Sequence, residues 1–400
     1  MLRDTVEAMD DLLDVLTLDQ LRARTSVRWS HYPDDVLPLW VAEMDVPLAE
    51  PVRQAVRALL DAHDVGYPPE DGALTTAFAG FAARRWGWTV DPTAVRQLTD
   101  VMTAVQTAVA AVVAPGGVVI VPTPVYGPFR WYTEGAGRRV ETVSLRDDRL
   151  DVAAIDATAA RVRAEVGPGA GIALLLCNPH NPTGVVHSRE ELAALADVAA
   201  RHDVRVVSDE AHAPLVLPGS PAYVPYLEVD PRGLAVHSAA KAWNLAGFKS
   251  ALLVAGDEAH DVLARVPAYL SDAVGHVSMA AHAAAYREGE AWLDELLPAL
   301  ARRRDLLVEL VGEHLPGARV RAPEATYLGW VDLRAAGPDG AGLGDDPAKV
   351  FLVEGRVALS RGLDFGPGGE GHVRVNCATR SDVLREALAR MGEVAAGRRG

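Results

Sequence analysis

The sequence predicts an α/β protein in which helices cover both faces of a mostly parallel sheet, with a smaller α+β region attached. From about residue 95 onward, short apolar segments recur, each ending in a polar or turn residue, at 118–124, 171–179, 204–212, 233–241 and 250–256. Helix-like segments such as 188–203 separate some of them. Continuous apolar strands that alternate with helices are typical of a parallel sheet buried on both faces.

Three amphipathic helices are predicted around these strands. The helix over 188–203 has a start signal of its own, because Ser188 and Glu191 match an S-x-x-E capping box. Near the amino terminus, the helical spacing of apolar residues predicts a short helix over residues 4–16. A third helix is expected where one face carries Val52, Val56, Leu59 and Leu60.

The pattern changes after residue 256. A long helical region is predicted over roughly 257–313, followed by strand candidates at 325–333, 357–360 and 371–378. The segment 334–347 is rich in Gly, Pro and Asp and predicts a surface loop. A chain of 400 residues exceeds what one core usually serves. We therefore expect a large domain over 46–275 and a small domain formed by both chain ends, 1–45 and 276–400.

Composition excludes several classes of function. The net charge of -15 and the lack of any Lys- or Arg-rich run argue against a nucleic-acid partner. The longest apolar stretch is interrupted by Pro115, Gly116 and Gly117, which argues against a membrane span. The first residues are acidic, unlike a signal peptide. Cys177 and Cys377 lie in apolar runs and are expected to be buried free thiols in a cytoplasmic protein, with a disulfide as the alternative.

Polar residues follow the predicted strands at the point where each strand ends. Asn178, Asp209, Ser238 and Lys241 all lie there, and ligands of such sheets bind beyond the carboxyl ends of the strands. We therefore expect these four side chains to meet in one crevice. Taken alone, Asp209 could also be a helix cap or a solvated carboxylate. Lys241 could be a buried amine with a lowered pKa, or a lysine whose amine extends to solvent.

Taken together, these motifs resemble the pyridoxal-phosphate (PLP) enzymes of the aspartate aminotransferase fold, fold type I. The shared features are "NPHNPTG" at 178–184, "SDEAH" at 208–212 and "SAAK" at 238–241, followed eight residues later by Lys249. The flanking segments "SVRW", "LPLWVAEMD", "PTPVYGPF", "ATYLGWVDLR" and "GHVRVN" are similar to the MalY/PatB branch of cystathionine β-lyase-like C–S lyases. The resemblance extends from about residue 24 to 390.

The resemblance implies a role for each residue around the cofactor ring. Lys241 is expected to bond to the aldehyde of pyridoxal 5'-phosphate and then to remove the substrate Cα proton. Asp209 is expected to pair with the ring nitrogen, and Asn181 to donate to the phenolic oxygen. Tyr126 is expected to stack on the ring face. His212 is expected near that face or behind Asp209, with a packed histidine as the alternative.

The phosphate and the substrate have their own expected partners. Ser238 and Lys249 would bind the phosphate, together with the first N–H groups of a helix at about Val101 and Met102. Relatives have a glycine-rich turn there, and this chain does not. Tyr67 corresponds to a tyrosine that relatives extend across a homodimer interface to the partner's phosphate.

Substrate binding is expected mainly from Arg374, whose planar guanidinium suits the α-carboxylate of an amino acid. Asn181 is expected to contribute to the same site. In the lysine motif, Trp243 replaces the phenylalanine common in relatives.

The resemblance implies cleavage of L-cystathionine or a related L-cysteine S-conjugate to a thiol, pyruvate and ammonia. The alternative is an aminotransferase acting on an L-amino acid and a 2-keto acid. A third reading, an effector-sensing module of a transcription regulator, is disfavoured because only about 25 residues, acidic in character, precede the first family motif.

Overall fold

The computed structural model describes residues 11–69, 72–337 and 340–397. Its strands are β1 (Leu37–Leu39), β2 (Val95–Leu98), β3 (Val118–Thr123), β4 (Arg139–Ser144), β5 (Ile172–Cys177), β6 (Val204–Asp209), β7 (Leu234–His237), β8 (Ala251–Ala255), β9 (Arg319–Val320), β10 (Leu328–Asp332), β11 (Val357–Arg361) and β12 (His372–Asn376).

The α-helices alternate with these strands in the first part of the chain and then form a long helical region. They are α1 (Leu18–Arg22), α2 (Val27–Ser30), α3 (Glu50–Asp61), α4 (Ala73–Trp86), α5 (Val101–Val112), α6 (Pro128–Gly135), α7 (Val152–Val166), α8 (Arg189–Arg201), α9 (His260–Leu263), α10 (His276–Glu288), α11 (Glu290–His314), α12 (Pro347–Glu354) and α13 (Ser381–Ala395). Short 3₁₀ helices lie at Pro92–Ala94, Ala213–Leu215, Tyr226–Glu228, Ala268–Ala273 and Gly362–Phe365.

The larger sheet has the strand order β2-β8-β7-β6-β5-β3-β4. Strand β8 is antiparallel to both of its neighbours, and the pairs among the other central strands are parallel. Every residue of β3, β5, β7 and β8 is buried. The predicted mostly parallel sheet is therefore confirmed. In its register Cys177 lies opposite Asp209, so the ends of β5 and β6 meet at one edge.

Two helix starts explain how the chain turns at that edge. Ser188 accepts a hydrogen bond from the backbone N–H of Glu191 at 3.2 Å, and Glu191 accepts one from that of Ser188 at 2.8 Å. The predicted capping box is thus confirmed at the start of α8. Asp100 caps α5, where it accepts the N–H of Thr103 at 2.8 Å. This cap orients the first turn of α5 toward the sheet edge.

The smaller sheet has the strand order β1-β11-β12-β10-β9. Strand β1 runs parallel to β11, whereas the pairs among β9 to β12 are antiparallel. Strand β12 is entirely buried, and Arg374 lies opposite Trp330 on one side and Ser360 on the other. An amino-terminal strand and the carboxyl-terminal part of the chain therefore build one sheet. The predicted division at residues 46 and 276 stays a prediction.

The predicted helix over residues 4–16 is wrong where it can be compared. Residues 4–10 lie outside the described part of the chain, and residues 11–16 form turns and bends. The side chain of Asp11 accepts the N–H of Leu13 at 3.1 Å, a local bond that competes with helix formation. Asp11 and Asp14 also bind the guanidinium of Arg303. Leu13 is fully buried all the same.

The structure also tests the predictions for the helix around Val52, the two cysteines and a membrane span. The helix predicted around Val52 is present as α3, but Leu60 is 54% exposed and does not join the core. Cys177 and Cys377 are both free and buried, as predicted. Over the described ranges, every helix is too short or too polar to cross a lipid bilayer.

Candidate active site

The carboxyl ends of β5, β6 and β7 open into a cavity of about 560 Å³. Its other wall includes a coil segment between β1 and α3, residues 40–44, which we call the strap. Ten of the residues predicted for the site line this cavity: Lys241, Asp209, Tyr126, Asn181, His212, Ser238, Lys249, Val101, Met102 and Arg374. The expectation is wrong for Asn178, whose side chain instead donates to the carbonyl of Val224 at 3.1 Å.

Lys241 lies in the turn after β7, and its side chain is partly buried at the cavity wall. Its Nζ donates to the backbone carbonyl of Ala42 in the strap at 3.2 Å. Burial of the amine, reinforced by the positive charge of Arg374, lowers the pKa of Lys241 to about 8. The amine is therefore enclosed rather than extended into bulk solvent, and a free base is accessible near neutral pH.

Asp209 ends β6 and is buried. Its Oδ1 accepts the backbone N–H of Ala211 at 3.1 Å. Burial raises the pKa of Asp209 to about 6, against the lowering effects of that hydrogen bond and of Lys241. A carboxylate in this state is stabilised strongly by any cationic partner that enters the cavity.

His212 lies three residues further on and is also buried. Burial, followed by the charges of Lys241 and Arg374, lowers its pKa to about 3, so the ring is neutral. Within the described residues its Nδ1 has no hydrogen-bond partner. The ring lines the cavity without binding Asp209 directly, which leaves a contact with the cofactor or simple packing as its expected role.

Arg374 connects the two walls of the cavity. Its Nη1 donates to Oδ1 of Asn181 at 3.0 Å, and its Nη2 donates to the carbonyl of Trp40 and to Ser360 Oγ, each at 3.0 Å. The guanidinium also lies 5.1 Å from the ring centre of Phe365. Burial lowers the pKa of Arg374 to about 10, which still leaves it protonated at neutral pH.

Asn181 and Tyr126 are joined through the backbone. The Tyr126 N–H donates to the carbonyl of Asn181 at 3.2 Å. Because the amide oxygen of Asn181 is taken by Arg374, its amide nitrogen is the group left to donate into the cavity. Burial raises the pKa of the Tyr126 hydroxyl, so that side chain stays neutral.

The opposite end of the cavity carries the residues predicted for the phosphate. Ser238 Oγ donates to the carbonyl of Ser250 at 2.7 Å, and Lys249 Nζ lies 4.0 Å from Asp100 Oδ2. The first turn of α5 places Val101 and Met102 beside them. Lys249 is 71% exposed at its side chain, in contrast to Lys241. These groups form a polar end suited to an anion.

Tyr67 is the predicted site residue that the cavity does not contain. It is 95% exposed and lies in a separate, shallow depression of about 770 Å³ that also includes Tyr269. Among its described lining residues the depression has a carboxylate, Asp272, but no lysine to correspond to Lys241. Tyr67 therefore reaches a site only if that site belongs to another copy of the chain.

Sequence reasoning missed several residues at the cavity. Asp100, Tyr132 and Cys177 line it, and the Sγ of Cys177 accepts the N–H of Asn181 at 3.4 Å. The D-x-x-T spacing of residues 100–103 was a readable signal for the Asp100 cap. The strap was missed as well, because a residue such as Ala42 contributes its carbonyl and gives no side-chain signal.

Trp243 does not form a wall of the cavity. Its ring packs edge-on against Phe81 and Tyr286, and its Nε1 donates to the carbonyl of Gly289 at 3.0 Å. The replacement of phenylalanine at this position therefore acts on the packing behind the lysine turn.

Comparison with known proteins agrees with this geometry. A family model described as aminotransferase class I and II matches residues 34–391. A protein of Mycobacterium leprae named "Putative cystathionine beta-lyase" is 46% identical over 392 residues, covering 95% of this chain and 97% of that protein. A cystathionine beta-lyase of Corynebacterium glutamicum is 34% identical over 94% of this chain and 98% of its own length.

A solved structure shares the whole fold. The crystal structure of a "putative plp-dependent beta-cystathionase" from Corynebacterium diphtheriae superimposes with a TM-score of 0.87 at 30% identity, covering 96% of this chain and 99% of that one. A mostly parallel sheet with a lysine and a carboxylate at one edge, facing an arginine on a second sheet, is the arrangement of an α/β enzyme. More narrowly, the chain belongs to the class I and II aminotransferase family.

Proposed function

We propose that this chain is a PLP-dependent carbon–sulfur lyase that cleaves L-cystathionine or a related L-cysteine S-conjugate to a thiol, pyruvate and ammonia. The observation that carries the proposal is the cavity in which Lys241, Asp209 and Arg374 meet. Two relatives named as cystathionine beta-lyases, one by a provisional name, match this chain over most of its length. The names of these relatives support the proposed substrate class, and the residues of the cavity support the proposed reaction.

The residues of the cavity fit pyridoxal phosphate. An enclosed amine with a lowered pKa can bond to an aldehyde, and a buried carboxylate can hold a protonated ring nitrogen. The polar end at Lys249 and the start of α5 offers a positive charge and backbone N–H groups to a phosphate. Two features fit less well. One is the carboxylate of Asp100, whose charge Lys249 partly offsets. The other is the hydroxyl of Ser238, which would have to turn away from the carbonyl of Ser250 to donate to a phosphate.

Pyridoxal phosphate, when bound, supplies an aldehyde that bonds to amines and a ring that withdraws electrons from the adjacent carbon. The protein's own groups then have separate tasks. Asp209 would keep the ring nitrogen protonated, and the amide nitrogen of Asn181 would donate to the phenolic oxygen. Tyr126 would cover the ring, and His212 stays neutral because burial lowers its pKa.

Substrate binding falls to Arg374. Its guanidinium is held by Trp40, Ser360 and Asn181, so it is oriented before a carboxylate arrives. A planar fork binds two carboxylate oxygens with little loss of side-chain freedom. The α-carboxylate therefore fixes the substrate with its Cα close to Lys241.

Lys241 is the base of the reaction. Its amine is a free base above a pH of about 8, and it can accept the proton from Cα. Once that proton has left, the bond between Cβ and sulfur breaks and the thiolate departs. Addition of water to the remaining three-carbon fragment gives pyruvate and ammonia.

Transamination is the second candidate function, because the family model covers aminotransferases. The two reactions differ in whether a 2-keto acid is consumed. We expect purified enzyme to release pyruvate from L-cystathionine without any added keto acid. Product that appears only when a keto acid is supplied would contradict the lyase proposal and support the transaminase.

Two variants control this assay. Lys241→Ala is expected to abolish pyruvate release and the visible absorbance of the cofactor. Lys349→Ala removes an exposed lysine on α12 and is expected to leave both unchanged.

A homodimer is part of the proposal. Tyr67 and Tyr269 are exposed apolar side chains around one depression, and Leu60 and Val65 are large apolar side chains exposed in the same part of the sequence as Tyr67. An apolar surface of this kind marks an interaction site. We assign it to a second copy of the chain, whose phosphate site Tyr67 would enter. Light scattering should give twice the mass of the chain, and a monomeric mass for the active enzyme would contradict this assignment.

The location we propose is the cytoplasm. Its support is the pair of buried free thiols, Cys177 and Cys377, which suit a reducing compartment.

A further inference from the structure

The carbonyl oxygen that binds the amine of Lys241 has a second donor. Lys241 Nζ donates to the Ala42 carbonyl at 3.2 Å, and the hydroxyl of Tyr327 donates to the same oxygen at 3.0 Å. Tyr327 is fully buried, and burial raises the pKa of its hydroxyl, which therefore stays protonated as a donor. The tyrosine thus fixes the acceptor of the lysine without belonging to the cavity lining.

The rest of the strap is held in a similar way. Asn376 donates to the carbonyls of Val41 and Glu43, each at 2.6 Å, and Asn244 donates to that of Met44 at 2.8 Å. Each of these bonds fixes one peptide of the strap. For Ala42 the fixing group is the Tyr327 hydroxyl, so the position of the lysine acceptor depends on that hydroxyl.

The backbone just before Tyr327 adopts a conformation that its sequence does not favour. Thr326 has a φ of 72°, a left-handed conformation that is unusual for a β-branched residue. Thr326 is fully buried, and its N–H donates to the carbonyl of Leu215 at 2.9 Å. Strain of this kind persists only where the surrounding structure fixes it, and it clusters at functional sites.

Contacts with the loop after β5 and with Arg149 hold residues 324 and 325, just before Thr326. Glu324 accepts the backbone N–H of Val186 at 2.8 Å and binds Arg149 at 3.0 Å. The N–H of Ala325 donates to the carbonyl of Gly184, next to the asparagine motif. The chain is therefore held just before the strained residue, and just after it by the N–H of Cys377, which donates to the carbonyl of Tyr327 at 2.9 Å. These contacts restrict where the Tyr327 hydroxyl lies.

We propose that Tyr327 is a positioning residue for Lys241. The hydroxyl of Tyr327 holds the Ala42 carbonyl in place, and this carbonyl accepts a hydrogen bond from the lysine amine whenever the amine is not bonded to the cofactor. The inference rests on the proposed role of Lys241 as the base. A carbonyl oxygen shared between two donors is a weaker acceptor for each of them. The shared bond therefore favours the neutral amine over the ammonium form, which is the form that a base needs.

Other charges also face Lys241, and they remain constant when the tyrosine is changed. Arg374 faces it from β12, Asp209 from β6 and Glu43 from the strap, and His212 is neutral. A change at Tyr327 that leaves these groups in place isolates the contribution of the shared carbonyl.

The lysine content of the chain makes a direct test possible. The whole sequence has only three lysines, Lys241, Lys249 and Lys349. ¹³C-labelled lysine in the cofactor-free full chain therefore gives three side-chain signals, which Lys→Arg variants assign. Each signal is titrated by NMR, and the readout does not require turnover, so it stays informative even if the proposed reaction is wrong.

We expect Tyr327→Phe to raise the titration midpoint of the Lys241 amine by about 0.5 to 1 pH unit, which is the effect of one neutral hydrogen bond. Lys249 and Lys349 should keep their midpoints. Tyr226→Phe is the matched control, because Tyr226 is equally buried and its hydroxyl donates to Asp230 at 3.2 Å, outside the cavity. An unchanged Lys241 midpoint in folded Tyr327→Phe would overturn the proposal.

A second measurement needs no change at position 327. With ¹³Cζ-labelled tyrosine, the signal of Tyr327 in the unaltered chain should shift at the midpoint of Lys241, and this shift should vanish in Lys241→Met. Tyr126→Phe and Tyr132→Phe identify the signals of the two tyrosines that line the cavity. A Tyr327 signal that does not change as Lys241 titrates would contradict the proposal that the two side chains share the Ala42 carbonyl.

Discussion

The two walls of the cavity are built by different means. One wall, which we call the floor, consists of side chains at the carboxyl ends of the large sheet, Asn181, Asp209, Ser238 and Lys241. The other wall, the roof, consists of the strap and Arg374 on β12. The floor acts through side chains that follow strands directly. The roof acts mainly through backbone carbonyls and one arginine, which position the groups of the floor.

The two walls are therefore expected to have separate functions. The floor carries the groups that suit a cofactor. In the proposed function, the roof binds the substrate carboxylate and positions the free amine of Lys241. Changes in the floor should therefore affect cofactor chemistry. Changes in the roof should affect substrate affinity and proton transfer while the cofactor stays bound.

The largest effect is expected in the floor. Asp209→Asn removes the charge that we propose keeps the ring nitrogen protonated, and turnover should fall by about 10³-fold, as for other lost electrostatic groups. Steady-state kinetics with L-cystathionine measure it. Asp230→Asn is the matched control, because Asp230 is a buried aspartate bound to Arg232 and Tyr226 outside the cavity. Equal losses in both variants would show that folding, not charge, is responsible.

Burial of Lys241 makes the stability of the cofactor-free chain depend on pH. The pKa of Lys241 is lowered to about 8 in the folded state, whereas an unfolded lysine has a pKa of about 10.4. Below pH 8 the amine is protonated in both states, and the folded state bears the full free-energy cost of burying the ammonium group. Between these values the unfolded state binds more protons, so the free energy of unfolding rises with pH.

The measurement compares the cofactor-free chain with Lys241→Met, which has no charge to bury. At pH 8 the Lys241→Met variant should have the higher free energy of unfolding. This difference from the unaltered chain should shrink by at most about 3 kcal/mol between pH 8 and 10.4. Urea unfolding at several pH values gives both curves. A constant difference across this window would mean that the amine is solvated in the folded state.

The roof is tested by Arg374→Lys. A lysine keeps the charge but loses the fork that binds two oxygens, so KM for the amino acid should rise by about 10- to 100-fold. The cofactor absorbance should remain. If the variant loses the cofactor and keeps its KM, the division between the two walls is wrong.

The smallest effect is expected from Lys249→Ala. Its side chain is 71% exposed and its nearest carboxylate, Asp100, is 4.0 Å away, so solvent screens its charge. The dissociation constant for pyridoxal phosphate should rise by no more than about tenfold, as equilibrium dialysis can measure. A loss as large as that of Asp209→Asn would place Lys249 among the essential groups.

The floor and Arg374 of the roof were predictable from the sequence, and the strap was not. Apolar strands followed by Asp209 and Lys241 indicate a sheet edge, since parallel strands end at the same side. The carbonyl of Ala42 has no residue-specific signal, and its bond to Tyr327 joins positions that are 285 residues apart. The helix predicted over 4–16 is absent over its described residues, 11–16, where Asp11 and Asp14 bind Arg303 instead of facing solvent.

The central claim is that the amine of Lys241 bonds to pyridoxal phosphate in the cavity that contains Asp209. Reduction of the purified enzyme with borohydride followed by peptide mass mapping tests it directly, because the sequence offers only three lysines. We expect the reduced cofactor on the peptide that contains Lys241. Its attachment to Lys249 or Lys349, or to no lysine in an enzyme that turns over, would contradict the account.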